Sequence, residues 1–124
     1  MENLVADDLT IEAAEPDPAS PLVLTWKGKS DDRHPAKILG PYFASVLDRA
    51  AARPSAVEMH FEKLDHFNSS TIAAVIRFIQ DARARGVKLV LVYNQALKWQ
   101  KLSFDALRVF ARDDLLELRT ATQP

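Results

Sequence analysis

The stretch from Ser70 to Tyr93 limits the possible folds more than any other part of the chain. Ile72, Val75, Ile76, Ile79 and Ala82 recur at helical spacing up to Arg85, and Gly86 stands where a helix end favours positive φ. Val87 to Tyr93 then runs almost unbroken through valine and leucine, which predicts a central parallel strand covered on both faces. Upstream, Ala56 to Phe61 places Val57, Met59 and Phe61 on one face and Glu58 and His60 on the other, so a strand is expected there, with Lys63 to Asn68 as a short connection. Strand, helix and strand in this order make a crossover unit, which is nearly always right-handed. Loops leaving the carboxyl ends of such strands share one rim, where ligands and partners usually dock. Lys63 to Asn68 and Asn94 to Leu102 both lie on it.

The remaining elements are consistent with that unit. Leu9 to Ala13 alternates, Pro16, Asp17, Pro18 and Pro21 supply turn chemistry, and Leu22, Leu24 and Trp26 resume at period two as far as Lys27, predicting a hairpin. Gly28 to Pro35 is polar and reads as loop. Leu39, Phe43, Val46, Leu47 and Ala50 form a helical stripe from about Pro41 to Ala52, with Pro41 at the first helical position and Arg53 and Pro54 ending it. A helix from about Phe104 to Arg112, capped by Ser103 and turning Leu107 and Phe110 inward, precedes a short strand from Leu115 to Arg119. The expected order is ββαβαβαβ: an α/β fold in one domain over residues 1–124, an N-terminal β-hairpin joined to a largely parallel sheet packed with helices. Leu24, Val57, Phe61, Ile72, Val75, Ile76, Leu89, Leu91 and Leu107 are expected in the core.

Composition removes several classes of function. With 16 basic and 17 acidic residues there is no general field to attract nucleic acid or anionic lipid. Cysteine is absent, so disulfides, thiolate zinc sites and thiol nucleophiles are excluded. No apolar run approaches the ~20 residues of a membrane span. Met1 to Ala6 lacks the basic and apolar regions of a secretory signal, so a cytoplasmic location is expected.

Few residue groups carry chemistry on their own. Asp65, His66 and Ser69 are the residue types of a hydrolytic triad, but no Gly-x-Ser-x-Gly elbow or glycine-rich oxyanion loop accompanies them, so catalysis is not expected. His34, His60 and His66 lack metal-ligand spacing, and neither metal nor cofactor is inferred. Arg77, Arg83, Arg85 and Lys88 read as a solvated face. Asn68, Ser69 and Ser70 are residues that any helix start prefers. Trp99 suits a rim contact and a core plug equally.

The sequence Val57-Glu58-Met59-His60-Phe61-Glu62-Lys63-Leu64-Asp65-His66-Phe67-Asn68-Ser69-Ser70-Thr71-Ile72, with the helix, Arg85-Gly86 and Val87 to Val92 that follow, resembles the core of STAS domains, the anti-sigma-factor-antagonist family. The family pattern is an apolar strand, a short turn, then Asp-Ser-Ser-Gly or a variant opening a helix. The match is closest to a bacterial branch with Asn-Ser-Ser, and it extends through Trp99 and Gln100 to the last strand. The resemblance implies a non-enzymatic regulator that switches protein partners. Ser69 would be the phosphoacceptor, with Ser70 the alternative. A serine kinase that often doubles as an anti-sigma factor would modify it, and a PP2C-type phosphatase would reverse the modification. Phe67, Asn68, Ser69, Ser70, Thr71 and Trp99 would contact partners. The residues themselves favour such a switch, because a helix N-terminus offers free amides and a positive dipole end to a phosphate. The alternative expectation is a STAS-like scaffold or sensor that uses the rim for protein or small-ligand binding without phosphorylation.

Overall fold

The computed structural model describes residues 1–53 and 56–121. Its strands are β1 (Leu4–Ala6), β2 (Leu9–Ala14), β3 (Leu22–Ser30), β4 (Val57–His60), β5 (Leu64–Phe67), β6 (Leu89–Tyr93) and β7 (Leu116–Thr120). The helices are α1 (Ala36–Ala51), α2 (Ser69–Ala84) and α3 (Lys98–Leu107), the last followed by a 3-10 turn at Arg108–Phe110. One sheet runs β1-β2-β3-β4-β6-β7, antiparallel across the first three strands and parallel thereafter. The fold is therefore α/β with an N-terminal hairpin and a largely parallel remainder, as the sequence predicts. Pro54, expected to help end the first helix, lies outside the described residues.

Strand alternation places the core. Leu22, Val57, Leu89 and Leu116 sit in one row across four strands, and Leu24, Met59, Leu91 and Leu118 in the next. These rows meet the buried stripes of the three helices in a single cluster. The opposite rows are Val23, Glu58, Val90, Glu117 and Thr25, His60, Val92, Arg119. No described helix covers that side, so β6 is covered on one face and not two. Val90 and Val92 are nonetheless only 4% exposed. Glu58 and Glu117 flank the first and His60 and Arg119 the second, so neighbouring side chains supply the shelter that a helix was expected to give.

β3 runs three residues beyond its expected end. Its first half pairs with β4, and Gly28 to Ser30 pair in parallel with β5, the segment expected to be a connection. Gly28 makes this extension possible. Its φ is +86°, and a Cβ there would stand 1.9 Å from the Asp8 carbonyl oxygen. The register shift between Gly28 and Lys29 lets one strand serve two successive partners.

Two helix boundaries also differ from expectation. α1 begins at Ala36 after Pro35, which leaves Pro41 inside the helix. Pro41 and Lys37, whose carbonyl loses its helical donor, are both exposed, so water can meet the stranded oxygen. α3 begins at Lys98, so Trp99 lies in its first turn and Ser103 is no cap. Its buried stripe is Gln100, Phe104 and Leu107, with a polar residue in the first core position.

Along α2 the buried stripe is Thr71, Ala74, Val75, Phe78, Ile79 and Ala82, while Ile72 and Ile76 are half-buried at its margin. The helix is rotated slightly from the orientation expected, so Phe78 takes the centre. Ile76→Ala should accordingly cost about 1 kcal/mol and Phe78→Ala about 3 to 5 kcal/mol. Urea unfolding of both variants tests the rotation, and equal losses would contradict it.

Candidate functional site

Asn68 is the N-cap of α2. Its backbone is extended, and its side-chain Oδ1 accepts from the Thr71 amide at 2.9 Å, so Asn68 rather than a serine closes the helix end. Its Nδ2 donates to the Asp32 carbonyl at 2.8 Å, tying down the loop between β3 and α1. Thr71 is fully buried, its hydroxyl 2.8 Å from Asn68 Oδ1, 2.7 Å from Ser30 Oγ and 3.2 Å from the Ser30 carbonyl. Thr71 thus closes a buried polar network.

This leaves Ser69 and Ser70 as the first two helical residues, both exposed, with no hydrogen bond to either hydroxyl among the described residues. Their amides precede the first that finds a helical acceptor, since the Asn68 carbonyl is taken by Thr71 and Ile72. A negative group on either serine would meet free N–H donors and the positive end of a 16-residue helix.

Trp99 shares this end of the sheet. Its ring packs edge-on against Phe67 with centroids 5.1 Å apart and lies 5.9 Å from the His66 ring. It is half-buried, one side packed on the core and the other open to solvent. Phe67 itself is buried and serves as the support beneath the rim, not as an exposed contact. Of the six residues expected to touch partners, Ser69, Ser70 and Trp99 offer surface, Asn68 offers part of its amide, and Phe67 and Thr71 hold the others in place.

Gln100 was not singled out from the sequence, yet it fixes the rim. Fully buried, it accepts from the Asn94 amide at 2.8 Å and donates to the carbonyls of Phe61 at 2.6 Å and Leu64 at 3.2 Å. It thereby joins the loop after β6 to the junction between β4 and β5. The Asn-Ser-Ser turn and Trp99 are held on one frame. On the solvent side of α3, Lys101 and Asp105 pair at 2.7 Å, a contact that holds the Asp105 carboxyl below its ordinary range.

The remaining candidates are dispersed. Asp65, His66 and Ser69 are exposed, and no hydrogen bond links them. His60 lies on the open sheet face between Glu58 at 3.0 Å and Glu62 at 3.1 Å. His34 is exposed in the loop before α1, and no cluster of three metal-ligating side chains forms among the described residues. The four basic residues read as a solvated face are each ion-paired: Arg77 with Asp81, Arg85 with Asp48, Lys88 with Glu117 and Arg83 with Asp113. Arg83 goes further, donating to the Phe110 carbonyl and so pinning the turn after α3 to the end of α2. No described helix is long and apolar enough to cross a membrane. A scan against protein-family models and a search of curated proteins found no match to this chain.

Proposed function

We propose that the chain is a non-enzymatic regulatory domain of STAS type that binds partner proteins at the Ser69 rim and is switched by phosphorylation of Ser69. The observation that carries this reading is the division of labour at the start of α2. Asn68 does the capping, so two serines remain exposed, with free hydroxyls, at the positive end of a long helix beside a half-open tryptophan. A phosphate there would leave the cap intact and change the surface that a partner meets. The partners that the resemblance suggests are a serine kinase with anti-sigma-like activity and a PP2C-type phosphatase, in a cytoplasmic setting.

The test starts with co-purification and mass spectrometry, which report partners and phosphosites together. Ser69→Glu should then weaken binding of the captured partner about tenfold or more, which corresponds to ~1.4 kcal/mol. Ser69→Ala should bind as wild type and resist modification, and Ser70→Ala should remain a substrate. One observation favours a second reading, a scaffold or sensor without phosphorylation. The Asn68 amide is committed to Thr71 and Asp32, which leaves it no role in orienting a serine hydroxyl. If the captured kinase modifies neither serine, and Ser69→Glu binds as tightly as wild type, that second reading replaces the first.

A further inference from the structure

We infer that two copies of this chain join edge to edge through β7, antiparallel and in a register centred on Leu118. The argument begins with the phase of the β6–β7 ladder. The Leu89 amide donates to the Leu115 carbonyl at 2.9 Å, and the Ala121 amide donates to the Tyr93 carbonyl at 2.7 Å. In a parallel pair, residues of one parity direct both backbone polar groups to the same neighbour. Residues 115, 117, 119 and 121 therefore face β6, and Leu116, Leu118 and Thr120 present their N–H and C=O groups to the free edge. No described strand pairs with that edge.

A two-fold axis at Leu118 uses all of these groups. Leu118 would meet Leu118 of the second copy and Leu116 would meet Thr120, each as a hydrogen-bonded antiparallel pair. Between them fall the non-hydrogen-bonded positions, where side chains approach most closely. There Glu117 of each copy faces Arg119 of the other, and the symmetry makes the contact twice. Registers centred on Glu117 or Arg119 would use the same outward backbone groups but would oppose like charges at the axis. The charge pattern of Leu116-Glu117-Leu118-Arg119-Thr120 is thus complementary to itself in one register.

Other features agree. Exposed edges are commonly blunted by proline, lysine, bulges or shortness, and β7 has five regular residues with none of the first three. The opposite edge, β1, has only three residues. α3 packs over β6, where Phe104 stacks on Tyr93, and leaves Leu118 half-buried and available at the axis. Within one copy Arg119 pairs with Glu117 at 2.9 Å, but the two side chains are 49% and 41% exposed, so exchanging this contact for one across the axis costs little.

Sedimentation of the full chain tests the pairing. The wild type should shift from 13.9 kDa toward twice that mass as concentration rises, and less so in high salt. Arg119→Glu and Glu117→Arg should each weaken association about tenfold, because each opposes like charges at two symmetric places. The double exchange Glu117→Arg with Arg119→Glu should restore it. Leu118→Pro removes an outward N–H and should abolish association while the ladder to β6 survives, which circular dichroism verifies. A wild type that stays at one monomer mass at every reachable concentration overturns the inference. So does a double exchange that associates no better than the single variants.

Discussion

Phe61→Ala should remove about 3 to 5 kcal/mol of stability, a loss as large as that of Phe78→Ala. Phe61 is fully buried at the crossing of two aromatic chains. Its ring lies 4.9 Å from Trp26 and 4.9 Å from Phe104, and 6.1 Å from Phe67. Trp26 continues to Phe43 and Phe43 to Phe78, so this one ring touches aromatic residues that lead to all three helices. Truncation would open a cavity between the sheet and the helices, which the surrounding structure can fill only in part. For a domain of this size the midpoint of thermal unfolding should fall by roughly 12 to 20 °C. Phe61→Leu should cost markedly less, since it keeps most of the volume. If Phe61→Ala shifts the midpoint by only a few degrees, the aromatic cluster is not the centre of the core.

Gln100→Leu is the second large effect, and its cause is the reverse one. Volume is nearly retained, but the Asn94 amide and the Leu64 carbonyl lose a buried partner, and the Phe61 carbonyl keeps only the Leu64 amide at 3.0 Å. Each stranded group costs about 1 to 3 kcal/mol, so a total near 2 to 4 kcal/mol is expected. Gln100→Glu should cost at least as much as leucine at neutral pH, because its carboxylate can still accept from Asn94 but would be a buried, unpaired charge set against the Phe61 and Leu64 carbonyls. Loosening of the rim should also redden Trp99 emission before global unfolding begins. Wild-type stability in Gln100→Leu would show that water replaces the amide without loss.

The architecture was legible wherever burial follows a simple period. β2, β3 and β4 alternate and α2 repeats at helical spacing, so their order and the shared rim of Ser69 and Trp99 could be read directly. β5 was not legible because Leu64 and Phe67 are buried with Asp65 and His66 both exposed between them, a pattern of neither period. α3 was displaced because glutamine occupies its first core position, and polar residues do not announce burial. β6 carries valines on its open face, so its sequence could not distinguish one cover from two. At the site, asparagine before two serines signals a helix start, but the partners that decide each role are remote. Ser30 meets Thr71 across 41 positions and Gln100 meets Phe61 across 39, separations at which local pattern carries no information.

The row formed by Leu22, Val57, Leu89 and Leu116 has a kinetic meaning. Adjacent members are joined by three successive crossovers, each containing one helix and each spanning about 30 residues, and closure entropy grows only as the logarithm of loop length. The three closures therefore cost nearly the same, within a few tenths of a kcal/mol. Loop length gives no parallel strand a head start. The order in which they join the sheet is left to contact strength, and the hairpin of β2 and β3, which closes over a short turn, is the one local template on which they can add.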